Sequence, residues 1–279
     1  MELLIDPDAV RFVLCDLDGV VWLAQRPIEG AVDAIARLRT SGRRVLFVTN
    51  NSKWQIADQE AVLARIGVPA EGDVVTSAQA AAQLVASGEE VLVCGGPGVV
   101  EAVEARGARA TLAAEVEPSV VRDRRFDAVV VGLHDDFGYA SMTVASAAIR
   151  AGARFVATND DATYPTPSGP IPGAGAIVAS IVTASETMPT VAGKPHRPMA
   201  DLVGDRCGPD FSPAAALMVG DRASTDGAFA STLGCPFALV RTGVSSIERG
   251  LDAAVPVALD AASLAAVADL LVTTGATST

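Results

Sequence analysis

Basic residues, histidine and cysteine are all scarce in this sequence of 279 residues. Its 21 lysines and arginines are outnumbered by 33 aspartates and glutamates, so the formal net charge is −12. Such an acidic chain is unsuited to binding nucleic acid or an anionic membrane surface, because both are negatively charged. The histidines are His134 and His196 alone, which argues against a histidine-based zinc site. The four cysteines show no Cys-x-x-Cys spacing, and we expect them to be reduced.

Long hydrophobic runs are also missing. No apolar run reaches the roughly 20 residues that a membrane-spanning helix needs. Residues 1–7 include neither a basic region nor a cleavable apolar segment, so no signal peptide is predicted. Together with the reduced cysteines, these absences predict a cytoplasmic protein. Half of the residues are nevertheless hydrophobic, which is enough for a sizeable core in one large or two moderate domains.

Short apolar strands alternate with amphipathic helices along the chain. The clearest strand patterns lie at residues 12–15, 45–48, 91–93, 128–131, 155–157, 217–219 and 237–240. This alternation predicts an α/β protein with a mostly parallel sheet. The predicted strands are too many for a single sheet of ordinary size, so we expect two domains. In open parallel sheets, functional sites form beyond the carboxyl ends of the strands, so the residues that follow each strand matter most.

Two carboxylates, Asp16 and Asp18, follow the first apolar run and precede Gly19. Residues two apart at the end of a strand can face the same way. Two acids at such close range favour a divalent cation held by oxygen ligands, with one carboxylate as nucleophile and the other as acid and base. The alternative is an Asp-Gly turn with two solvated acids.

Three further strand ends carry polar groups. Thr49 and Asn50 offer a hydroxyl and backbone N–H groups to an anion at a helix start, although simple helix capping is an alternative. Lys194 lies in a Gly-Lys-Pro turn, where a solvated surface charge is the alternative. Asp221 and Asp226 follow the strand at 217–219, where they could also complement a helix dipole.

Taken in order, these four clusters resemble the motifs of the haloacid dehalogenase superfamily of phosphotransferases. The resemblance covers nearly the whole chain, and the segments that carry it are 16–22, 48–52, 157–161, 172–175, 193–195 and 220–226. It is closest to the NagD-like group, which includes phosphatases of phosphoglycolate, pyridoxal phosphate and glycerol phosphate. This group implies a Rossmann-like, doubly wound parallel core, here 1–80 and 188–279, with an α/β cap inserted at 81–187. One departure is Gly227, where a bulky aliphatic residue is usual.

The resemblance implies a magnesium-dependent phosphatase that forms an aspartyl-phosphate. Asp16 would attack phosphorus, and Asp18 would protonate the leaving group and then activate water. Asp16, the Asp18 carbonyl and Asp221 would hold Mg²⁺. Phosphate binding would fall to Thr49, Asn50, Asn51 and Lys194. Asp226 would orient Lys194 or a metal-bound water.

The substrate is expected to be a small phosphorylated metabolite. Its leaving group would lie near six residues that are mostly in the cap, namely Lys53, His134, Asn159, Asp161, Gly173 and Gly175. Aromatic residues make up only 4% of the chain, which leaves Trp54 and Tyr164 as candidates for stacking a planar ring. We therefore predict glycerol 3-phosphate, with 2-phosphoglycolate second and pyridoxal 5′-phosphate third. The resemblance also allows a homodimer formed through the cap.

A different class of function comes from a glycine-rich turn after the strand at 91–93. Gly95, Gly96 and Gly98 open a helix, as in a dinucleotide-binding module. Gly96 and Gly98 match the first two glycines of the Gly-x-Gly-x-x-Gly fingerprint, but Glu101 occupies the position of the third. This module is the alternative to a phosphatase.

Overall fold

The computed structural model describes residues 5–119, 121, 124–164, 166, 168–243 and 255–273. The strands are β1 (Phe12–Cys15), β2 (Trp22–Leu23), β3 (Arg26–Pro27), β4 (Arg44–Thr49), β5 (Val74–Thr76), β6 (Glu90–Cys94), β7 (Arg109–Leu112), β8 (Ala128–Val131), β9 (Arg154–Ala157), β10 (Thr163–Tyr164), β11 (Ile171–Pro172), β12 (Thr190–Val191), β13 (Ala216–Gly220), β14 (Phe237–Val240) and β15 (Leu259–Ala261). The α-helices are α1 (Ala31–Thr40), α2 (Ile56–Arg65), α3 (Ser77–Ala82), α4 (Pro97–Ala105), α5 (Tyr139–Arg150), α6 (Ala174–Ser185), α7 (Arg197–Cys207), α8 (Ala228–Leu233) and α9 (Leu264–Thr273).

The chain divides into two compact units. The core unit comprises Met1–Thr49, Gln59–Val75 and Lys194–Thr279, and the inserted unit comprises Asn50–Asp58 and Thr76–Gly193. The segments 50–58, 76–80 and 188–193 therefore belong to the inserted unit, whereas the sequence placed them in the core. Hydrogen bonds explain this difference, because Asn50 and Gly193 are both bonded to residues of the inserted unit.

The core unit is built on one sheet with the strand order β15-β14-β13-β1-β4-β5. β1 lies parallel to β13 on one side and to β4 on the other. All four residues of β1 are buried, which is why the strand reads as an unbroken apolar run. The chain moves outward from β1 through β4 in one direction and from β13 through β14 in the other. The point where the direction changes lies between β1 and β13, and ligands of such sheets bind at its carboxyl end.

Helices cover this sheet through apolar stripes. In α1, Ala31, Ala34, Ile35 and Leu38 are buried, and their spacing of three and four residues marks one helix face. This face joins a cluster with Val267 and Leu271 of α9. The core sheet is therefore fixed by ordinary hydrophobic packing.

The inserted unit has its own sheet with the order β12-β9-β8-β6-β7, in which every pair is parallel. Its core cluster combines the strands with α5 and α6, through residues such as Val129, Val144 and Ile181. β10 and β11 form a short antiparallel pair beside it. These two parallel sheets confirm the predicted α/β class, with a doubly wound core and a second α/β unit. Among the described helices, none has the length and apolarity to cross a membrane.

Candidate active site

Three aspartates of the core unit meet at the carboxyl end of its sheet. Asp16 follows β1 directly, and Asp221 follows β13. Asp226 lies in a π-helical turn, Ala223–Gly227, that comes shortly after β13. Each contributes a carboxylate oxygen to a group whose members all lie within 4.8 Å of one another. The structure thus brings together acids that are about 200 positions apart in the sequence.

Lys194 is the cation inside this group. Its Nζ donates hydrogen bonds to Asp16 Oδ1 and Asp226 Oδ1, both at 2.7 Å. The residue is only 1% exposed. Burial works to lower the pKa of Lys194, but the charges of Asp16 and then Asp226 outweigh it and raise that pKa above its usual value. Lys194 is therefore held as an ammonium ion. It is a buried charge, so the alternative of a solvated surface lysine does not apply.

Asp226 holds Lys194 in place. Its second oxygen accepts a hydrogen bond from the backbone N–H of Arg222 at 3.2 Å, so both carboxylate oxygens are engaged. Its side chain is almost completely buried. This arrangement fits the predicted role of orienting the lysine.

The electrostatics of the group favour an additional cation. Burial raises the pKa of Asp16 well above its usual range, with Lys194 opposing the rise and the charges of Asp226 and Asp221 adding to it. A β-carbon on Gly19 would lie 2.5 Å from Asp221 Oδ2, and one on Gly243 would lie 2.0 Å from it. Both glycines therefore lie against this carboxylate, where a side chain would not fit. The donors are all oxygens, so the set fits Mg²⁺.

Asp18 has a partner that the sequence interpretation missed. The indole Nε1 of Trp22 donates a hydrogen bond to Asp18 Oδ1 at 3.1 Å. The turn between them needs Gly19, whose φ is +85° and whose N–H donates to the Trp22 carbonyl at 2.8 Å. Burial raises the pKa of Asp18 to about 6, and the Trp22 hydrogen bond and the Lys194 charge oppose part of that rise. A tryptophan four residues after an aspartate was the available signal.

The predicted phosphate-binding residues fall into two groups. Thr49 is buried at the end of β4, next to β1 in the core sheet. Asn50 and Asn51 belong to the inserted unit. There the Asn50 amide donates to Asp161 Oδ2 at 2.9 Å, and the Asn51 amide donates to the Tyr164 hydroxyl at 3.4 Å.

Lys53 and His134 line a cavity of about 550 Å³ within the inserted unit. Lys53 Nζ is hydrogen-bonded to Asp135, and His134 Nδ1 lies 3.1 Å from the Gly132 carbonyl oxygen. The structure therefore brings these two predicted substrate residues together. It places them beside the glycine-rich turn that opens α4.

Gly173 and Gly175 lie where the backbone passes very closely. A β-carbon on Gly173 would lie 2.3 Å from the Asp161 carbonyl oxygen, and one on Gly175 would lie 2.3 Å from that of Asp160. Packing alone accounts for glycine at these two positions, which were predicted to be near the substrate.

The glycine-rich turn of the dinucleotide alternative also has a packing role. The backbone N–H of Gly98, near the start of α4, donates to the Lys53 carbonyl at 3.0 Å. A β-carbon on Gly98 would lie 2.2 Å from the Trp54 carbonyl oxygen. The glycines thus make room for residues 52–54, which accounts for them without a bound dinucleotide.

Comparison with known proteins agrees with this geometry. A family model described as haloacid dehalogenase-like hydrolase matches residues 13–109, and a second HAD-like model matches residues 191–269. D-glycerol 3-phosphate phosphatase of Mycobacterium tuberculosis is 41% identical over 84% of this chain, which spans 64% of that relative's length. Glycerol-3-phosphate phosphatase of Gallus gallus is 34% identical over 86% of this chain and 82% of its own length.

A crystal structure with magnesium resembles this fold as well. It is the glycerol phosphate phosphatase of Mycobacterium tuberculosis, with a TM-score of 0.75 and 39% identity over 88% of this chain and 70% of that one. The motifs, the parallel core sheet and these similarities agree with one another. The chain belongs to the haloacid dehalogenase-like hydrolase family, in its NagD-like group.

Proposed function

We propose that this protein is a Mg²⁺-dependent phosphomonoester hydrolase acting on a small phosphorylated metabolite in the cytoplasm. The observation that carries the proposal is the buried group of Asp16, Asp221 and Asp226 around the Lys194 ammonium. A nucleophilic carboxylate beside a fixed cation suits attack on an anionic phosphoryl group. The acidic character of the whole chain supports neither nucleic acid nor a membrane as partner.

The residues divide the chemistry among them. Asp16 attacks phosphorus in line and becomes the aspartyl-phosphate, while Lys194 and the Thr49 hydroxyl hold phosphoryl oxygens. Asp18 protonates the departing alkoxide and then takes a proton from the water that cleaves the intermediate. Its raised pKa, about 6, suits a group that must both give and accept a proton near neutral pH.

Asp16, Asp221 and the main-chain carbonyl of Asp18 are the groups that would hold the metal. When bound, Mg²⁺ supplies positive charge that offsets the repulsion between a carboxylate and a phosphate ester. Burial raises the pKa of Asp16 and the charges of Asp226 and Asp221 add to the rise, so a cation at this place would stabilise the ionised carboxylate.

Among substrates, we favour glycerol 3-phosphate. The low aromatic content leaves few platforms for a planar ring, and relatives that are 41% and 34% identical are named as phosphatases of glycerol phosphate. The second candidate is 2-phosphoglycolate. Pyridoxal 5′-phosphate is third, because Trp54 and Tyr164 are the available ring partners.

The test is phosphate release from these three esters, measured side by side as kcat/KM with Mg²⁺ and again with EDTA. We expect a preference for glycerol 3-phosphate and no turnover in EDTA. Full activity in EDTA would overturn the metal site, and preference for pyridoxal 5′-phosphate would overturn the substrate but leave the core chemistry intact. A homodimer through the inserted unit stays a prediction, which light scattering would test.

A further inference from the structure

The segment Thr158–Asp161, which follows β9, is bonded to Asn50. The Asn50 amide donates to Asp161 Oδ2 at 2.9 Å, and the Asn159 amide donates to the Asn50 carbonyl at 2.8 Å. Ser77 Oγ donates to the same carbonyl at 2.7 Å. Asn50 is therefore held through both its side chain and its main chain. It is also the residue that directly follows Thr49, the predicted phosphoryl ligand.

The same segment is bonded to Gly193. The Gly193 N–H donates to the Thr158 carbonyl at 2.7 Å. A β-carbon on Gly193 would lie 2.5 Å from that carbonyl oxygen and 2.6 Å from Asn50 Oδ1. Gly193 therefore has no room for a side chain beside Asn50 and the segment. Gly193 is the residue that directly precedes Lys194.

Most residues of this hydrogen-bond network are buried, which restricts the network to one arrangement. Thr158 and Ser77 are fully buried, and Asn159 is 4% exposed. The Asn159 side-chain oxygen accepts the Asp161 N–H at 3.2 Å, and Thr158 Oγ1 donates to Ser52 Oγ at 3.0 Å. Buried polar groups that lose a partner are costly, so such a network resists rearrangement.

We propose that Asn159 and Asp161 are positioning residues that act through Asn50 and Gly193 and do not grip the leaving group. They fix the main chain on either side of the network, and with it the backbone of Thr49 and of Lys194. The inference rests on the proposed function, because it assigns Thr49 and Lys194 to the transferred phosphoryl group. A misplacement of about 1 Å in such groups lowers turnover by about 100-fold.

The effect of the leaving group distinguishes a positioning residue from one that contacts the substrate directly. A residue that grips glycerol hydroxyls affects glycerol 3-phosphate most, and it affects KM. A residue that positions Thr49 and Lys194 lowers kcat by the same factor for every ester, because all esters share the phosphoryl group.

The first experiment compares Asp161→Ala, Asp161→Asn and Asn50→Ala on glycerol 3-phosphate, 2-phosphoglycolate and p-nitrophenyl phosphate. We expect Asp161→Ala to lower kcat by about 10- to 100-fold on all three. Asp161→Asn should recover most of this loss, since its amide oxygen can accept the Asn50 hydrogen bond. The double variant Asn50→Ala/Asp161→Ala should lose no more than the worse single variant. A loss confined to one ester, a change in KM alone, or multiplied losses in the double variant would overturn the proposal.

The second experiment replaces Gly193 by Ala, with Gly138→Ala as the matched control. The added methyl at 193 meets Thr158 and Asn50, whereas at 138, where φ is −146°, it meets nothing within 4 Å. We expect kcat to fall at least 10-fold for Gly193→Ala and to stay at the wild-type value for Gly138→Ala. Equal activity of the two variants would contradict the role of Gly193.

Amide hydrogen exchange gives a readout that does not need turnover. Asp161→Ala should speed exchange in peptides covering residues 49–52 and 193–196, relative to peptides of α5. If wild-type protein cleaves no ester, the proposed function fails, and exchange still decides whether the network fixes these segments. If wild-type protein is active and exchange is unchanged, the positioning inference alone fails.

Discussion

At the residue scale, Asp16 accepts a hydrogen bond from Lys194 through one oxygen and lies among carboxylates, and the proposed mechanism makes it the nucleophile. Asp16→Asn keeps the shape of the side chain but removes the attacking charge. We expect kcat to fall by about 10⁴-fold or more, as when other covalent nucleophiles are lost. Phosphate release in a coupled assay measures this, with Gly138→Ala as an active control. An Asp16→Asn enzyme with most of its activity would exclude the covalent mechanism.

Lys194 has a structural role that can be measured without substrate. Lys194→Met leaves Asp16 and Asp226 without their buried counter-ion, and we expect the free energy of unfolding to drop by about 3–5 kcal/mol. The matched control is Lys53→Met, because Lys53 forms an ion pair with Asp135, whose side chain is 70% exposed. Such a pair contributes about 1 kcal/mol or less. Urea unfolding in metal-free buffer compares the two, and equal stability of Lys194→Met and wild type would refute the role.

The positions of the candidate site residues could be predicted because the residues that follow a strand can be read from local sequence. Asp16, Asp18 and Asp221 each follow an apolar run, and the topology of parallel sheets gathers such ends at one edge. The roles of Trp22 and of the Asp161 contact to Asn50 could not be predicted, since hydrogen-bond partners depend on tertiary geometry. Asn159 and Asp161 were predicted to lie near the substrate, and the structure shows them bonded to the chain beside Thr49.

At the scale of elements, the π-helical turn Ala223–Gly227 combines chemistry with tight packing. Its Asp226 holds Lys194, and its Gly227 lies against the core. A β-carbon on Gly227 would lie 2.5 Å from Val255 and 3.0 Å from the Phe237 ring. Crowding by Val255 and Phe237 therefore explains glycine at position 227, where the family usually has a bulky aliphatic residue. Sequence alone does not reveal this crowding.

Gly227→Val should consequently destabilise the protein. Overpacking of this kind costs about 1–3 kcal/mol, and displacement of the turn should lower kcat as well. The matched control is Gly204→Ala in α7, where the added methyl meets only Phe211 at 3.9 Å. Alanine in a helix interior is favoured over glycine by about 1 kcal/mol, so this control should be slightly more stable than wild type. Denaturant midpoints, compared at constant m-value, measure the stability of the two variants. A Gly227→Val protein as stable as the control would show that the turn accommodates the larger side chain.

Strands and helices were predictable where periodicity was strong, as in β1 and in the buried stripe of α1. The short pairs β2–β3 and β10–β11 were not predicted, because two-residue strands leave no periodic pattern. The unit boundaries at Thr49 and Lys194 were also missed, because they depend on which hydrogen bonds Asn50 and Gly193 make.

For the whole molecule, the proposed metal site lies in the core unit alone. Mg²⁺ that binds only the folded chain should raise its stability, by about 2.7 kcal/mol at a concentration 100 times the dissociation constant. We expect Mg²⁺ also to slow hydrogen exchange in peptides covering residues 12–22 and 216–227, relative to peptides of α5. Asp221→Asn should weaken both effects. Protection that appears in α5 and not beside β1 would relocate the metal.

The order of strands in the core sheet also determines when the proposed active site can assemble during synthesis of the chain. Phe12 pairs with Ala216, so β1 waits for a partner that the ribosome makes much later. Every residue of the inserted unit has been translated by Gly193, before Lys194 or β13. The inserted unit can thus fold on the nascent chain, while β1 and β4 stay without the β13 side of their sheet. Asp16 and Lys194 meet Asp221 and Asp226 only after residue 226 has left the exit tunnel, so a chain truncated before that point cannot assemble the proposed active site.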